Sequence, residues 1–211
     1  MNINIQNPNS PLIEQLNFFH DWVIVTVVTI AAAILLFLVT LMRTKKMINT
    51  SLLESQSVEI LWTTLPCIIL FAIGFPRLRL LYLLDEVGTP SMNIKVIGHQ
   101  WYWSYEYRDW GDLGFDAYIM KEGPLRLLDA DHRLIILPST PTRIIITAAD
   151  VLHSWTIPVL GVKADAVPGR LNQLNILVDR PGVFFGQCSE ICGRNHSFIP
   201  IRIEVIYPYK I

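Results

Sequence analysis

The sequence predicts a membrane-anchored all-β protein: an N-terminal two-helix transmembrane hairpin followed by an extramembrane β-sandwich. Three observations predict it. A 21-residue run, Trp22 to Met42, carries no charged side chain. A second apolar run spans about Ile60 to Pro76, and its helix continues to Leu84. From Asp85 onward the chain breaks into short β-branched runs separated by proline and glycine, the pattern of sandwiches and barrels. The expected division is residues 1–84 as N-terminal segment and hairpin (helices about 22–42 and 60–84), and residues 85–211 as one β domain.

The first run, as a helix, spans about 30 Å, the thickness of a bilayer core. It shows no alternation of the kind a strand requires. The second contains Pro66 and the Gly74-Phe75-Pro76 group. Proline is tolerated in membrane helices where neighbours satisfy the freed carbonyl. Arg77 and Arg79 can snorkel from its far end, and Cys67 reads as a small buried hydrophobe. The loop between the runs carries Arg43, Lys45 and Lys46 against Glu54. The segment before the first run carries Glu14 and Asp21 and no Lys or Arg. The positive-inside rule then places the loop on the inner side, with both termini and everything after Asp85 outside. Met1 to Phe19 is polar and lacks a basic n-region, so no cleavable signal peptide is expected.

The β domain is announced by Asn93–Val96, Leu134–Leu137, Arg143–Thr147, Leu174–Val178 and Ile201–Ile206. Composition agrees with one such domain on a small anchor. Of 211 residues 52% are hydrophobic, and the mean hydropathy of +0.39 is high for a soluble chain and low for a polytopic transporter. A net charge of −1 argues against binding nucleic acid by bulk electrostatics. Three cysteines, an odd number, argue against a complete disulfide framework.

The chemistry concentrates in Gly186 to His196, which gives Cys188-x3-Cys192-x3-His196, and in His153 upstream. Two thiolates and two imidazoles make a soft site, suited to copper, zinc or an iron–sulfur cluster. Zinc sites usually pair cysteines at other spacings, and iron–sulfur clusters need more cysteines or paired histidine motifs. Copper on a β-sandwich fits better. A mononuclear blue-copper site takes one Cys and two His. The second sulfur is then surplus, unless both sulfurs bridge two ions. The competing structural reading is a Cys188–Cys192 disulfide, which an oxidising outer side permits.

Three blocks carry a family resemblance: Gly98-His-Gln-Trp-Tyr-Trp-Ser-Tyr-Glu-Tyr107; Asp150-Val-Leu-His-Ser-Trp155 with Pro168-Gly-Arg-Leu-Asn-Gln173; and Gly186 to Pro200. From about Ser10 to Ile206 the chain resembles subunit II of the heme-copper cytochrome c oxidases, mitochondrial type. The resemblance implies a cupredoxin-like domain holding a dinuclear copper A centre. His153, Cys188, Cys192 and His196 would ligate through side chains, and Glu190 through its backbone carbonyl. The Glu190 carboxylate would face a magnesium ion shared with subunit I. The chain departs at Ile199, where the family carries an axial methionine. Ile199 has no donor atom, so the axial contribution would be lost. A codon read as isoleucine in the standard code but as methionine in many animal mitochondria would produce this departure. Peptide mass spectrometry across residue 199 decides that.

The resemblance also assigns a partner surface. Trp101 matches the exposed tryptophan where an electron arrives from cytochrome c. Glu106, Asp109, Asp112 and Asp116, with Asp131 and Asp150, would attract that lysine-rich partner. Read without the family, the same residues are an aromatic strand and a solvated loop. Glu59 matches the mouth of a proton-uptake path continuing in subunit I, and Ser57 occupies a neighbouring position that is often acidic. His99 reads as a structural histidine, while His20 and His132 acquire no role. The implied whole is the copper subunit of an oxidase in the mitochondrial inner membrane. Its copper domain and both termini would lie in the intermembrane space; a bacterial plasma membrane has the same topology. The implied reaction is oxidation of cytochrome c coupled to oxygen reduction and proton pumping, with the hemes held by subunit I. The rivals are a quinol oxidase subunit, which should lack the copper ligands; a membrane-anchored copper carrier, which would not need the Trp101 block; and an anchor with a disulfide loop.

Overall fold

The computed structural model describes residues 5–44, 51, 53–86, 88–109, 111, 113–122 and 125–207. They pack as two units, Leu16–Tyr82, and Met1–Gln15 with Leu83–Ile211.

The first unit is helical. It holds most of α1 (Pro11–Arg43) and of α2 (Gln56–Asp85), both long and apolar enough to cross a membrane. Leu35, Leu36, Phe37, Ile68, Leu70 and Phe71 are exposed along them, as lipid-facing side chains would be. The polar residues in these runs satisfy themselves locally. Thr26, Thr29, Thr40, Thr63 and Thr64 each return their hydroxyl to the carbonyl four residues back, which keeps those donors paired in an apolar medium. Pro66 and Pro76 both lie inside α2 without ending it. Cys67 is exposed rather than buried, because a unit of two helices has no interior of its own to receive it. Lys45 and Lys46 of the connecting loop lie outside the described residues.

The helix α1 starts eleven residues before the uncharged run. Ser10 caps it, accepting from Ile13 N–H at 3.3 Å, and Pro11 supplies the preset φ of a first helical position. The Ser10 hydroxyl also donates to Leu160 O at 2.8 Å. Asn9 exchanges bonds with the backbone of Val159, Asp179 and Arg180. Asn9, Ser10 and Ile13 are buried as a result.

Among the described residues the β unit has ten strands. β1 (Met92–His99), β2 (Tyr102–Tyr107), β3 (Leu113–Ala117), β5 (Thr142–Ala148) and β8 (Asn172–Ile176) form one sheet in the order β3-β2-β1-β5-β8. β4 (Leu134–Ile136), β10 (Pro200–Val205) and β9 (Gly182–Gln187) form a second, and β6 (His153–Ile157) pairs with β7 (Val162–Ala166). Burial alternates strictly along β1, β2 and β5, as strand geometry requires when one face meets a core. Ile94, Val96, Trp103, Tyr105, Ile144 and Ile146 supply that core from one sheet, and Leu134, Ile136, Ile201 and Ile203 from the other. Tyr107 joins the two layers: its phenol donates to Ile135 O at 2.9 Å and accepts from Ile135 N at 2.8 Å. Burial pushes that phenol up to about 12.

The core positions the site by bringing β6 and β9 together. At Gly186 a Cβ would collide with the Thr156 carbonyl, so only glycine permits this approach. Ser189 N then bonds Ser154 O at 3.0 Å. This lays the segment after β9 against the start of β6.

Candidate metal centre

His153 opens β6 and is fully buried. Cys188 follows directly on β9, its N–H bonded to Ile199 O at 3.0 Å. Cys192 lies four residues on, and His196 begins the single helical turn His196–Phe198, with its N–H on Gly193 O at 3.2 Å. The sequence gap of 35 residues between His153 and Cys188 therefore closes to 3.9 Å between Nδ1 and Sγ. The two sulfurs stand 3.9 Å apart as free thiols, so the disulfide alternative is not what the fold contains. Cys192 Sγ meets His196 Nδ1 at 3.5 Å. Donor atoms of His153, Cys188 and Cys192 all lie within 4.8 Å of one another, a spacing that a metal ion can bridge. His196 reaches the cluster from the Cys192 side. The Glu190 carbonyl is 3.3 Å from Cys188 Sγ.

Electrostatics divides the two thiols. Burial pushes both up. At Cys188 hydrogen bonds from His153, from the Glu190 and Ser154 backbone and from His196 outweigh it, and the thiol falls to about 6. At Cys192 burial and the adjacent Cys188 charge act together, and the thiol rises to about 12. A metal-free pair near neutrality thus keeps one proton between two sulfurs. His153 is lowered by burial, but Cys188 and Asp150 on either side of the ring leave it above its ordinary value. Asp150 is raised by burial but held low, on balance, by bonds from His153, Val151 and Gln100.

Asp150 is one of two contributions that reading the sequence missed. Its Oδ1 accepts from His153 Nε2 at 2.8 Å and Val151 N at 2.6 Å, and its Oδ2 from Gln100 N at 2.6 Å. With Nε2 held there, Nδ1 is the nitrogen that faces sulfur, the arrangement in which a carboxylate orients a ligand imidazole. The signal was its position three residues before a histidine at a strand start. The other is Gln100, whose amide donates to Cys192 O at 2.9 Å. The Trp101 indole donates to the same carbonyl at 3.3 Å, so the aromatic block touches the backbone of the cysteine pair.

The remaining site residues are dispersed. Ile199 is buried directly before β10. Glu106 on β2 pairs with Lys95 at 3.1 Å. Asp109 accepts from Asn93 N at 2.6 Å, Asp116 from Ser104 Oγ at 2.6 Å, and Asp131 from Tyr118 N at 2.7 Å. Asp112 lies outside the described residues. His132 rests on Asp116 O at 2.8 Å and His99 stacks on Tyr102 with centroids 4.5 Å apart. Glu59 is exposed in the first turn of α2.

Two soft sulfurs and two imidazoles turned inward suit copper better than hard cations. Ile199 adds no donor to the set. A family model described as cytochrome C oxidase subunit II, periplasmic domain, matches residues 92–206, and one for the transmembrane domain of that subunit matches residues 1–80. Cytochrome c oxidase subunit 2 of Aedes aegypti is 54% identical over 212 residues, covering 97% of this chain and 92% of that one. Its counterpart in Ctenocephalides felis is 54% identical over 213 residues, covering 98% and 92%. The crystal structure of the periplasmic domain of subunit II of cytochrome oxidase from Bradyrhizobium japonicum superposes with a TM-score of 0.57 at 41% identity, covering 58% of this chain and 89% of that domain. A membrane-capable helix pair, a cupredoxin-like β unit and a converged cysteine–histidine cluster therefore accompany near full-length relationship, and the chain belongs to the cytochrome c oxidase subunit II family.

Proposed function

We propose that this oxidase subunit accepts electrons from reduced cytochrome c at a dinuclear copper A centre and passes them towards the heme of subunit I. The observation that carries the reading is the convergence of His153, Cys188, Cys192 and His196. Those side chains, with the Glu190 carbonyl, would hold the two coppers. When bound, the pair supplies a one-electron acceptor whose electron is shared between two ions.

The chain's own residues do the rest. Asp150 holds the His153 ring with Nδ1 inward. Burial of His153, Cys188 and Cys192 keeps water from the donors and strengthens local electrostatics. Trp101 is the point where the electron arrives, and its N–H···O bond to Cys192 leads inward to the cysteine backbone. Glu106, Asp109, Asp116 and Asp131, with Asp112 of the same sequence stretch, would supply the charge that attracts the partner, and Asp150 adds to it while bonded to His153. The Glu190 carboxylate is free to face a magnesium ion shared with subunit I. Glu59 stands at the mouth of a proton path serving the pumping reaction. The membrane is the mitochondrial inner membrane, with the copper domain in the intermembrane space. Insect subunit 2 relatives, 54% identical over nearly the full chain, support this placement.

Trp101→Phe in the assembled oxidase tests the electron path. Electron uptake from reduced cytochrome c, followed by stopped flow, is expected to slow by more than about tenfold, or ~1.4 kcal/mol of barrier. Docking of cytochrome c is expected to weaken by less than about 1 kcal/mol, as for most rim contacts. Equal losses in both would count against this role.

A further inference from the structure

Along β1 the inward positions are filled by Met92, Ile94 and Val96, and then by Gly98, which has no side chain. Gly98 pairs with Trp103 on one side and with Ala148 on the other. The space above it is not empty. A Cβ built there would lie 2.9 Å from both Cγ and Cδ2 of His153 and 3.0 Å from its Cβ. Real Cβ atoms do not approach so closely, so any side chain at this position must move the ring or the strand. Glycine inside a strand is otherwise unfavourable, and here its use is to vacate one side-chain volume.

The other sides of the ring are occupied. Trp103 meets it edge-on, with centroids 5.8 Å apart and planes at 62°. Asp150 Oδ1 holds Nε2 at 2.8 Å. Cys188 Sγ faces Nδ1 at 3.9 Å. A ring flipped about its Cβ–Cγ axis would lose the Asp150 bond.

We propose that Gly98 is a positioning residue of the metal centre: its missing side chain is the seat in which the His153 ring lies, with Trp103 as the wall, so that Nδ1 is aimed at the cysteine pair before any metal arrives. The proposal rests on the reading of His153 as a metal ligand. It adds a requirement from β1, a strand that contributes no ligand itself.

The test uses the full-length chain purified in detergent, with copper ions as the probe. Copper affinity and the electron paramagnetic resonance spectrum are read together. In the parent chain the unpaired electron is expected to couple equally to two copper nuclei. Gly98→Ala is expected to lower affinity by about tenfold or more, the usual range for loss of a ligand-orienting contact, and to make the two couplings unequal. Trp103→Phe removes part of the wall and leaves the seat. It is expected to shift the spectrum in the same direction by less, and it decides the matter should Gly98→Ala not fold. A folded Gly98→Ala chain with parental affinity and spectrum overturns the proposal, as does an unchanged spectrum in Trp103→Phe. The ligand reading fails by a different result: His153→Asn binding copper with the parental spectrum.

Discussion

At the metal centre His153, Cys188 and Cys192 are buried and turn their donor atoms towards one another within 4.8 Å. On the outer face of β1, β2 and β3 the carboxylates of Glu106, Asp109 and Asp116 are half-exposed or exposed, and each already has a partner inside the chain. The two regions differ in what their chemistry leaves over. Two thiols and an imidazole that turn their donor atoms to one buried point do not serve an apolar core, but they form a set that a soft metal ion can bridge. Exposed carboxylates that brace turns and strand pairs need nothing further, and their field is partly cancelled where they stand. The cluster thus points to a ligand, whereas the acidic face points only to a weak, salt-screened attraction.

The largest expected effect comes from breaking the cluster. Cys192→Ser removes a soft donor that both Cys188 and His196 touch. It is expected to lower copper affinity by more than about 100-fold, beyond the range for orienting residues, with fewer than two coppers retained per chain by elemental analysis. Retention of a full copper pair would show that the sulfurs are not its ligands and would erase the contrast with the acidic face.

Asp150 sits on the boundary between the two regions, since reading the sequence grouped it with the docking carboxylates while the fold turns it onto His153. Asp150→Asn keeps the size and removes the charge. It is expected to lower copper affinity about 10- to 100-fold, measured by competition with a chelator of known affinity. A change confined to the association rate of cytochrome c would return Asp150 to the acidic face.

The pH dependence of metal uptake follows from the thiols. In the metal-free protein Cys192 is raised to about 12 and Cys188 lowered to about 6. Near neutrality Cys192 therefore carries a proton that the metal must displace. Low pH favours the metal-free form, and affinity is expected to rise by at least about tenfold per pH unit between roughly pH 6 and 8, more steeply where His153, itself raised above its ordinary value, still carries a proton. Below the Cys188 value two thiol protons compete and the slope steepens. Affinity independent of pH would mean that Cys192 is already a thiolate.

How much of this was legible in the sequence depended on whether the signal was periodic or positional. The uncharged run Trp22–Met42 reports an apolar surrounding and falls within α1, while the β-branched runs at Asn93, Arg143 and Ile201 report burial in a core, and strands fall on them. The start of α1 at Pro11 was carried by a cap, Ser10-Pro11, inside a polar segment with no apolar run to mark it. The acidic stretch read as loop includes β3, because an edge strand facing water need not be apolar. Cys188, Cys192 and His196 share one loop and could be read by spacing. His153 was grouped with them as the second imidazole of a soft site, and its convergence with them rests on Gly186, which sequence spacing does not reveal.

The smallest expected effect tests whether the acidic face steers at all. Lys95 and Glu106 are cross-strand partners on β1 and β2, 3.1 Å apart and partly exposed, and Arg108 approaches the same carboxylate at 4.0 Å. Such a surface pair contributes little stability, so Lys95→Met should leave folding nearly unchanged. It would free one carboxylate and make the face more negative by one charge. If that field steers a lysine-rich partner, association should quicken by about twofold at low ionic strength and return to the parental rate at high salt, where charges beyond about 10 Å are screened. The dissociation rate should stay as it was, because the pair is solvated and remote from the buried donors. A rate that falls, or that changes equally at both salt concentrations, would mean that Lys95 itself contacts the partner and that the face recognises by shape rather than by charge.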